Sequence, residues 1–352
     1  MNPEFNFQWH ITNLCNLRCA HCYQHSFTNQ TDLPWPQLQS VADNIIASLK
    51  SWNKVTRINI TGGEPLLNKD LMPLLEYLDI SPQVKELTII TNATLINKSW
   101  AEETKRISKL NKIKVSLEGA SPATNDAVRG EGVFNKVSDN LAVLKENSKA
   151  NITVMFTLMK SNIKEISRMF DFCKKEGLSG LILERFIPQG QGSKIKEEVL
   201  DSKDWKEAVE LILDFCSLGF NEKEMFPYKA FWVDFDNGSP LKLSGAACNV
   251  ADQSLCIMPN GTVLPCRRFN LPIGNLLNGS LKEIWENTPL LKEVRDKTKL
   301  KGKCGACDIK GCAGCRALAY SLTGNYLEED CQCWYSPKKV RSTEYSVPSK
   351  NK

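Results

Sequence analysis

The 352-residue chain lacks the marks of several large functional classes. No apolar run approaches the roughly 18–20 residues that a membrane-spanning helix needs, so no membrane association is expected. The opening Met1-Asn-Pro-Glu-Phe-Asn-Phe7 has neither the basic n-region nor the apolar h-region of a secretory signal. Lys and Arg form no block interleaved with aromatics, and a net charge of +5 is weak for this length, which argues against a nucleic-acid partner. Internal repeats and low-complexity tracts are missing as well. Cysteine, by contrast, is abundant: there are fourteen. A disulfide framework would suit a much shorter secreted chain. Here the cysteines fall in C-x-x-C and C-x-x-x-C clusters with no export signal, a combination expected of metal binding in a reducing cytoplasm.

Hydrophobic content of 42% and charged content of 24% are ordinary globular values, and the length predicts one large domain plus a smaller one. Short β-branched runs at 6–12, 57–61, 87–91, 112–117, 152–158 and 181–186 alternate with helical patterns near 36–51, 70–79, 97–109, 134–147 and 163–176. Strands alternating with helices imply right-handed βαβ units and a parallel sheet. The expected fold class is α/β: a partial (β/α)6 TIM-like barrel over residues 1–190, its active site at the C-terminal strand edges. Two polar bridging helices, about 202–219 and 221–230, are expected within 191–240. A small Cys-rich domain of hairpins and helices should fill 241–335, and 336–352 reads as a disordered tail. The small domain has few long apolar segments, so bound metal is expected to help hold it together. Cys173 and Cys216 lie on apolar helical faces and read as core residues.

The chemistry is concentrated just after the first strand. Cys15, Cys19 and Cys22 leave gaps of three and then two residues, and thiolates so close together select zinc or iron–sulfur clusters. A closed structural site takes four ligands, whereas this loop offers three. In a [4Fe–4S] cluster one iron would then be open to a small molecule; zinc is the alternative. Thr61-Gly-Gly-Glu-Pro65 follows the second strand, where two glycines allow close approach and Glu64 can accept from an ammonium group. After the fourth strand come Ser116, Glu118 and Arg129.

Together these residues resemble the radical S-adenosylmethionine enzymes, and the resemblance spans nearly the whole chain. It implies that Cys15, Cys19 and Cys22 hold a cluster whose open iron binds the methionyl part of the cofactor. Gly62, Gly63 and Glu64 would face the cofactor's amino group, Ser116 and Arg129 its carboxylate, and Glu118, in place of the common aspartate, its ribose. Tyr23, Asn92 and Leu183 are further expected cofactor contacts. The family usually has an aromatic before the third cysteine; here that position is His21. Glu184 and Arg185 read as weaker candidates that pair with each other.

Further on, Cys248, Cys256, Cys266, the block Cys304-x2-Cys307-x4-Cys312-x2-Cys315, and Cys331-Gln-Cys333 resemble the SPASM extension that binds two auxiliary [4Fe–4S] clusters. The central block is two residues shorter than the family pattern, Cys256 is additional, and the last cysteine is doubled. The resemblance implies one auxiliary cluster on Cys248, Cys256, Cys266 and Cys315. It places the other on Cys304, Cys307, Cys312 and Cys333, with Cys331 the alternative to Cys333. Zinc knuckles are the competing reading.

The implied activity is that of an oxidoreductase. It would reductively cleave S-adenosylmethionine to a 5′-deoxyadenosyl radical and take hydrogen from a substrate, with three clusters and a reductant such as flavodoxin or ferredoxin. The substrate expected first is a peptide to be oxidised or crosslinked. No N-terminal peptide-recognition module precedes strand one, so a leader peptide would then be expected to need a separate binding protein or direct barrel contact. Alternatives are a small-molecule decarboxylation of the haem-precursor type, to which Arg267-Arg268 would be suited, and sulfatase maturation, which those arginines disfavour. A multi-cluster electron-transfer protein is the non-enzymatic alternative.

Overall fold

The computed structural model describes residues 3–235 and 241–337; most of the expected tail lies outside them. Six parallel strands form the frame: β1 (Asn6–His10), β2 (Thr56–Thr61), β3 (Val84–Thr91), β4 (Leu110–Ser116), β5 (Asn151–Leu158) and β6 (Gly180–Arg185). Each coincides with an expected strand to within three residues. Helices α1 (Trp35–Trp52), α2 (Leu71–Asp79), α3 (Lys98–Glu103), α4 (Pro122–Arg129), α5 (Val133–Asn147) and α6 (Ile166–Lys175) alternate with the strands. Local chemistry sets their ends. Proline stands in the first turn of α1 and α4, where its missing N–H costs nothing, and α1 stops at Asn53 in the left-handed conformation.

Strand alternation divides the barrel into two environments. Outward residues such as Trp9, Ile60, Ile89, Val115, Val154 and Leu183 are fully buried against the helices. Each such side chain contributes about 1.5–3 kcal/mol by leaving water. Inward positions are polar or mixed: Gln8, Asn59, Thr61, Lys114, Ser116, Thr157 and Glu184 all line one cavity.

The bridge departs from expectation. Helix α7 (Ser202–Phe215), opened by an Asp201/Asp204 capping box, is present. The second expected helix is only α8 (Glu222–Met225), after which the chain turns into strand β7 (Tyr228–Asp234). Phe231 and Val233 are buried with Trp232 exposed between them, and that period of two wins once β6 offers an open edge to pair with. Strand β8 (Lys242–Ala247) then pairs antiparallel with β7. At the other edge β9 (Ser254–Ile257) runs parallel to β1, followed by β10 (Thr262–Leu264) and β11 (Gly274–Asn275). The hairpin expected around Asn260-Gly261 is thus built into an eleven-stranded sheet ordered β11-β10-β9-β1-β2-β3-β4-β5-β6-β7-β8.

Four short helices complete the C-terminal part: α9 (Leu281–Asn287), α10 (Pro289–Arg295), α11 (Gly302–Gly305) and α12 (Arg316–Thr323). Its apolar core is small, gathering Ile187, Phe269, Leu291, Val294, Ala317 and Leu318. Cys173 and Cys216 lie in the main core, as expected. Among the described residues no helix is long and apolar enough to cross a membrane.

Candidate active site

The cysteine loop is clamped between two glycine turns. On one side the Gly63 N–H donates to the Thr12 carbonyl and the Glu64 N–H to the Leu14 carbonyl, both at 2.8 Å. A Cβ at Gly63 would lie 2.5 Å from the Leu14 oxygen and 2.7 Å from the Cys15 Cβ, so only glycine allows the two segments to meet. From the other side Gly192 donates to the Cys22 carbonyl and Gln191 to that of Gln24, each at 3.0 Å. Gly190, at φ +59°, packs on the backbone of Tyr23 and Gln24 with no room for a side chain.

Within this clamp Cys15, Cys19 and Cys22 line the cavity together with Leu17, His21 and Tyr23. Burial pushes the Cys15 thiol up to about 11 and raises those of Cys19 and Cys22. A soft metal centre that replaces their protons suits three such thiols better than solvent does. Among the described residues no three His, Cys, Asp or Glu side chains already converge on a single-ion sphere. Three thiols on one cavity wall suit an iron–sulfur cluster that leaves one iron open.

The expected cofactor residues separate into two groups. Gly62, Gly63, Tyr23, Asn92, Ser116, Glu118 and Arg129 all line the cavity. Glu64 does not. Its carboxylate accepts from Thr91 Oγ1 (2.7 Å), the Asn92 N–H (2.7 Å) and the Leu66 N–H (3.2 Å), fully buried beneath the turn. Burial still raises it to about 7. Glu64 therefore ties the end of β3 to the glycine turn. Leu183 stands apart: its side chain points outward into the helical core, and β6 presents the side chains of Ile182 and Glu184 to the cavity. One residue of strand register decides the face.

Glu118 is an ionic hub. Arg129 approaches its Oε1 at 2.6 Å and His21 Nε2 at 3.1 Å, while the Thr157 N–H donates to Oε2 at 2.7 Å. Burial alone would raise this carboxyl, but Arg129 and His21 hold it below the ordinary carboxylate range. Arg129 also reaches Cys19 Sγ at 3.9 Å. His21 thus occupies the loop position of the usual aromatic and joins the cysteine loop to β4.

The expected Glu184–Arg185 pair does not form. Adjacent strand residues point to opposite faces, so Glu184 meets Arg268 at 3.1 Å while Arg185 makes a bidentate pair with Asp330 at 3.1 and 3.2 Å. Asp330 also accepts from the Cys315 N–H (2.9 Å), and its own N–H approaches Cys304 Sγ (3.4 Å). Asp330 therefore touches both expected auxiliary sets, one through its carboxylate and the other through its backbone N–H. Cys248 has Cys315 and Cys266 as electrostatic neighbours, and burial pushes its thiol up to about 12. Cys256 neighbours Cys266 and Arg267, on the sheet face opposite Leu255 and Ile257. Cys304, Cys307, Cys312 and Cys333 likewise neighbour one another, whereas Cys331 is exposed beside Asp330 and Arg185.

Sequence reasoning offered Arg267 with Arg268 for a carboxylate-bearing substrate but missed Lys114 and Trp232 on the inner wall. Arg267 is buried, donates from Nε to His10 Nδ1 (3.3 Å) and stacks its guanidinium 4.2 Å from the Tyr23 ring centre. Burial and this guanidinium push His10 well below its ordinary value, so it is neutral. Lys114 and Trp232 face the cavity from β4 and β7. Period-two alternation was the signal for Lys114; for Trp232 none existed until β7 was known to be a strand.

The comparisons agree with this geometry. The radical SAM superfamily model matches residues 9–173, and the SPASM model, an iron–sulfur cluster-binding domain, matches 248–308. An AdoMet-dependent heme synthase of Methanosarcina barkeri is 29% identical over 94% of this chain and 96% of its own length. An Fe-coproporphyrin III synthase of the same organism is 31% identical, covering 94% and 88%. Among solved structures, Streptococcus suis SuiB bound to its precursor peptide SuiA superposes with TM-score 0.72 at 21% identity, covering 94% of this chain and 76% of that one.

Proposed function

The chain belongs to the radical SAM superfamily and carries its SPASM extension, and from that premise we propose that it oxidatively decarboxylates a small, carboxylate-bearing molecule of the iron-porphyrin class. Bound at Cys15, Cys19 and Cys22, a [4Fe–4S] cluster with S-adenosylmethionine supplies a 5′-deoxyadenosyl radical that takes a hydrogen atom from an unactivated C–H bond. The chain's own residues do the rest. Gly62, Gly63, Ser116 and Arg129 shape the cofactor wall, and the Glu118–Arg129–His21 hub fixes the cysteine loop to β4. Arg267 carries the substrate reading: it is a buried cation with no carboxylate within 4 Å among the described residues, on the wall of the same cavity. An unpaired buried charge is costly, and a substrate carboxylate would relieve it. Trp232, 40% exposed inside the cavity, offers a flat face to a planar ring.

In such a reaction a propionate side chain loses a hydrogen atom, carbon dioxide and one electron, leaving a vinyl group. The auxiliary cysteines of the C-terminal domain supply a seat for the electron acceptor. We assign Cys248, Cys266 and Cys315, with Cys256 adjoining, to one auxiliary cluster. Cys304, Cys307, Cys312 and Cys333 form the other. A reductant of the flavodoxin or ferredoxin kind and a reducing cytoplasm go with this reading. The names of the two Methanosarcina relatives support it. Peptide maturation, the substrate expected first, remains the second reading: SuiB takes a peptide, but its likeness to this chain is one of fold.

The test is anaerobic incubation of cluster-reconstituted enzyme with S-adenosylmethionine, reductant and Fe-coproporphyrin III. Expected are 5′-deoxyadenosine and a product lighter by one carbon dioxide and two hydrogens per side chain. An unchanged porphyrin beside substrate-free cofactor cleavage would refute the assignment.

A further inference from the structure

Deep in the same cavity lies a second cation that neither the cofactor residues nor the arginine pair account for. Lys114 points inward from β4 between the outward core residues Ile113 and Val115 and is only 6% exposed. Its Nζ donates to Asn59 Oδ1 at 2.8 Å and stands 5.0 Å from the Trp232 ring centre. No carboxylate of a described residue comes within 4 Å of it, whereas the neighbouring Lys112 reaches Glu86. An ammonium group has three donors, and one is used. The residue lines a cavity that also holds the three loop cysteines, Gly62 and Arg129. A buried ammonium without a counter-ion is unfavourable unless a ligand brings the anion.

We propose that Lys114 is a substrate-binding residue: the deep anchor for a carboxylate, at a point on the wall separate from Arg267. The substrate class rests on the reading above, but the anion site does not. Two cations of one cavity, one on β4 and the other in the turn after β10, would select a molecule with at least two carboxylates, and Trp232 beside Lys114 would cover the flat portion between them. Burial brings the ammonium down to about 8, with Lys112 adding to the fall. The plain alternative is a lysine that only fills the lumen, satisfied by Asn59 and Trp232.

Two measurements separate these. The first uses the reconstituted wild-type holoenzyme: reductive methylation of Lys114 is followed by peptide mass spectrometry in sodium propionate and in sodium chloride of equal ionic strength. Propionate should slow methylation of Lys114 several-fold and leave exposed lysines unaffected; equal rates would overturn the anion site. The second titrates Fe-coproporphyrin III into wild type, Lys114→Gln and Lys114→Arg by absorbance, with iron content and S-adenosylmethionine binding as folding controls. The glutamine variant should bind at least tenfold more weakly and the arginine variant should recover most of that loss. Equal binding by wild type and the glutamine variant would overturn the role in substrate recognition. Should wild type bind no porphyrin while propionate still protects Lys114, the substrate class falls and the anion site stands.

Discussion

Gly63 and Cys15 are in contact across the cavity rim: the hydrogen of Gly63 points to where a Cβ would lie 2.7 Å from the Cys15 Cβ. The glycine turn after β2 is therefore a spacer that sets the cysteine loop, in addition to a surface for the cofactor. With Glu64 spent on Thr91, Asn92 and Leu66, the motif's main work in the free protein is to join three strand ends.

Gly63→Ala is accordingly predicted to displace the loop. Iron content should fall by one cluster's worth and 5′-deoxyadenosine formation should vanish, while the auxiliary clusters remain. The Cys15/Cys19/Cys22 triple alanine variant should behave alike. Electron paramagnetic resonance with an iron assay checks both; full iron in Gly63→Ala would disprove the clamp.

Asp330→Asn removes one partner of a buried ion pair with Arg185, at a cost of about 3–5 kcal/mol. Because its carboxylate also accepts from the Cys315 N–H and acts electrostatically on Cys304, the loss should fall on both auxiliary sets. We predict auxiliary iron well below wild type with the loop cluster retained. The reverse pattern would show that the pair serves the barrel instead.

Cys331 and Cys333 flank a single residue yet differ in setting, one exposed and the other near Cys304 and Lys229. Cys333→Ser should lose one auxiliary cluster, and Cys331→Ser should lose none. Equal iron loss in the two variants would count against the ligand assignment.

Porphyrin affinity should depend on pH through Lys114. The groups acting on its ammonium are Lys112, which lowers its pKa beyond the effect of burial, and Glu184 and Glu86, which raise it. Below about 8 the ammonium is charged and binds carboxylate; above it, apparent affinity should drop about tenfold per pH unit, until bound anion shifts the titration upward. In stability the sign is opposite. A base with a folded value below its unfolded 10.5 favours the neutral form, so its contribution is present above 10.5 and lost as pH falls through 8. Lys114→Arg should abolish the binding limb near 8; an unchanged profile would exclude Lys114 as its source.

What the sequence determined by itself was whatever is local. Hydrophobic alternation placed six strands, and cysteine spacing with the Gly-Gly-Glu turn identified the loop and its chemistry, because ligands three or four residues apart need no tertiary information to converge. That the Leu183 side chain faces the core and not the cavity was beyond the sequence, because a one-residue shift of register exchanges the two. Residues 228–230 were read as the end of a helix because their partner, the edge of β6, is more than forty residues away in sequence. The folded chain alone decided that Arg185 meets Asp330 rather than Glu184, that Glu64 is buried under its own turn, and that Lys114, Arg267 and Trp232 share one cavity. Those relations join strands far apart in the chain, and only barrel closure and the docked C-terminal domain bring them within reach.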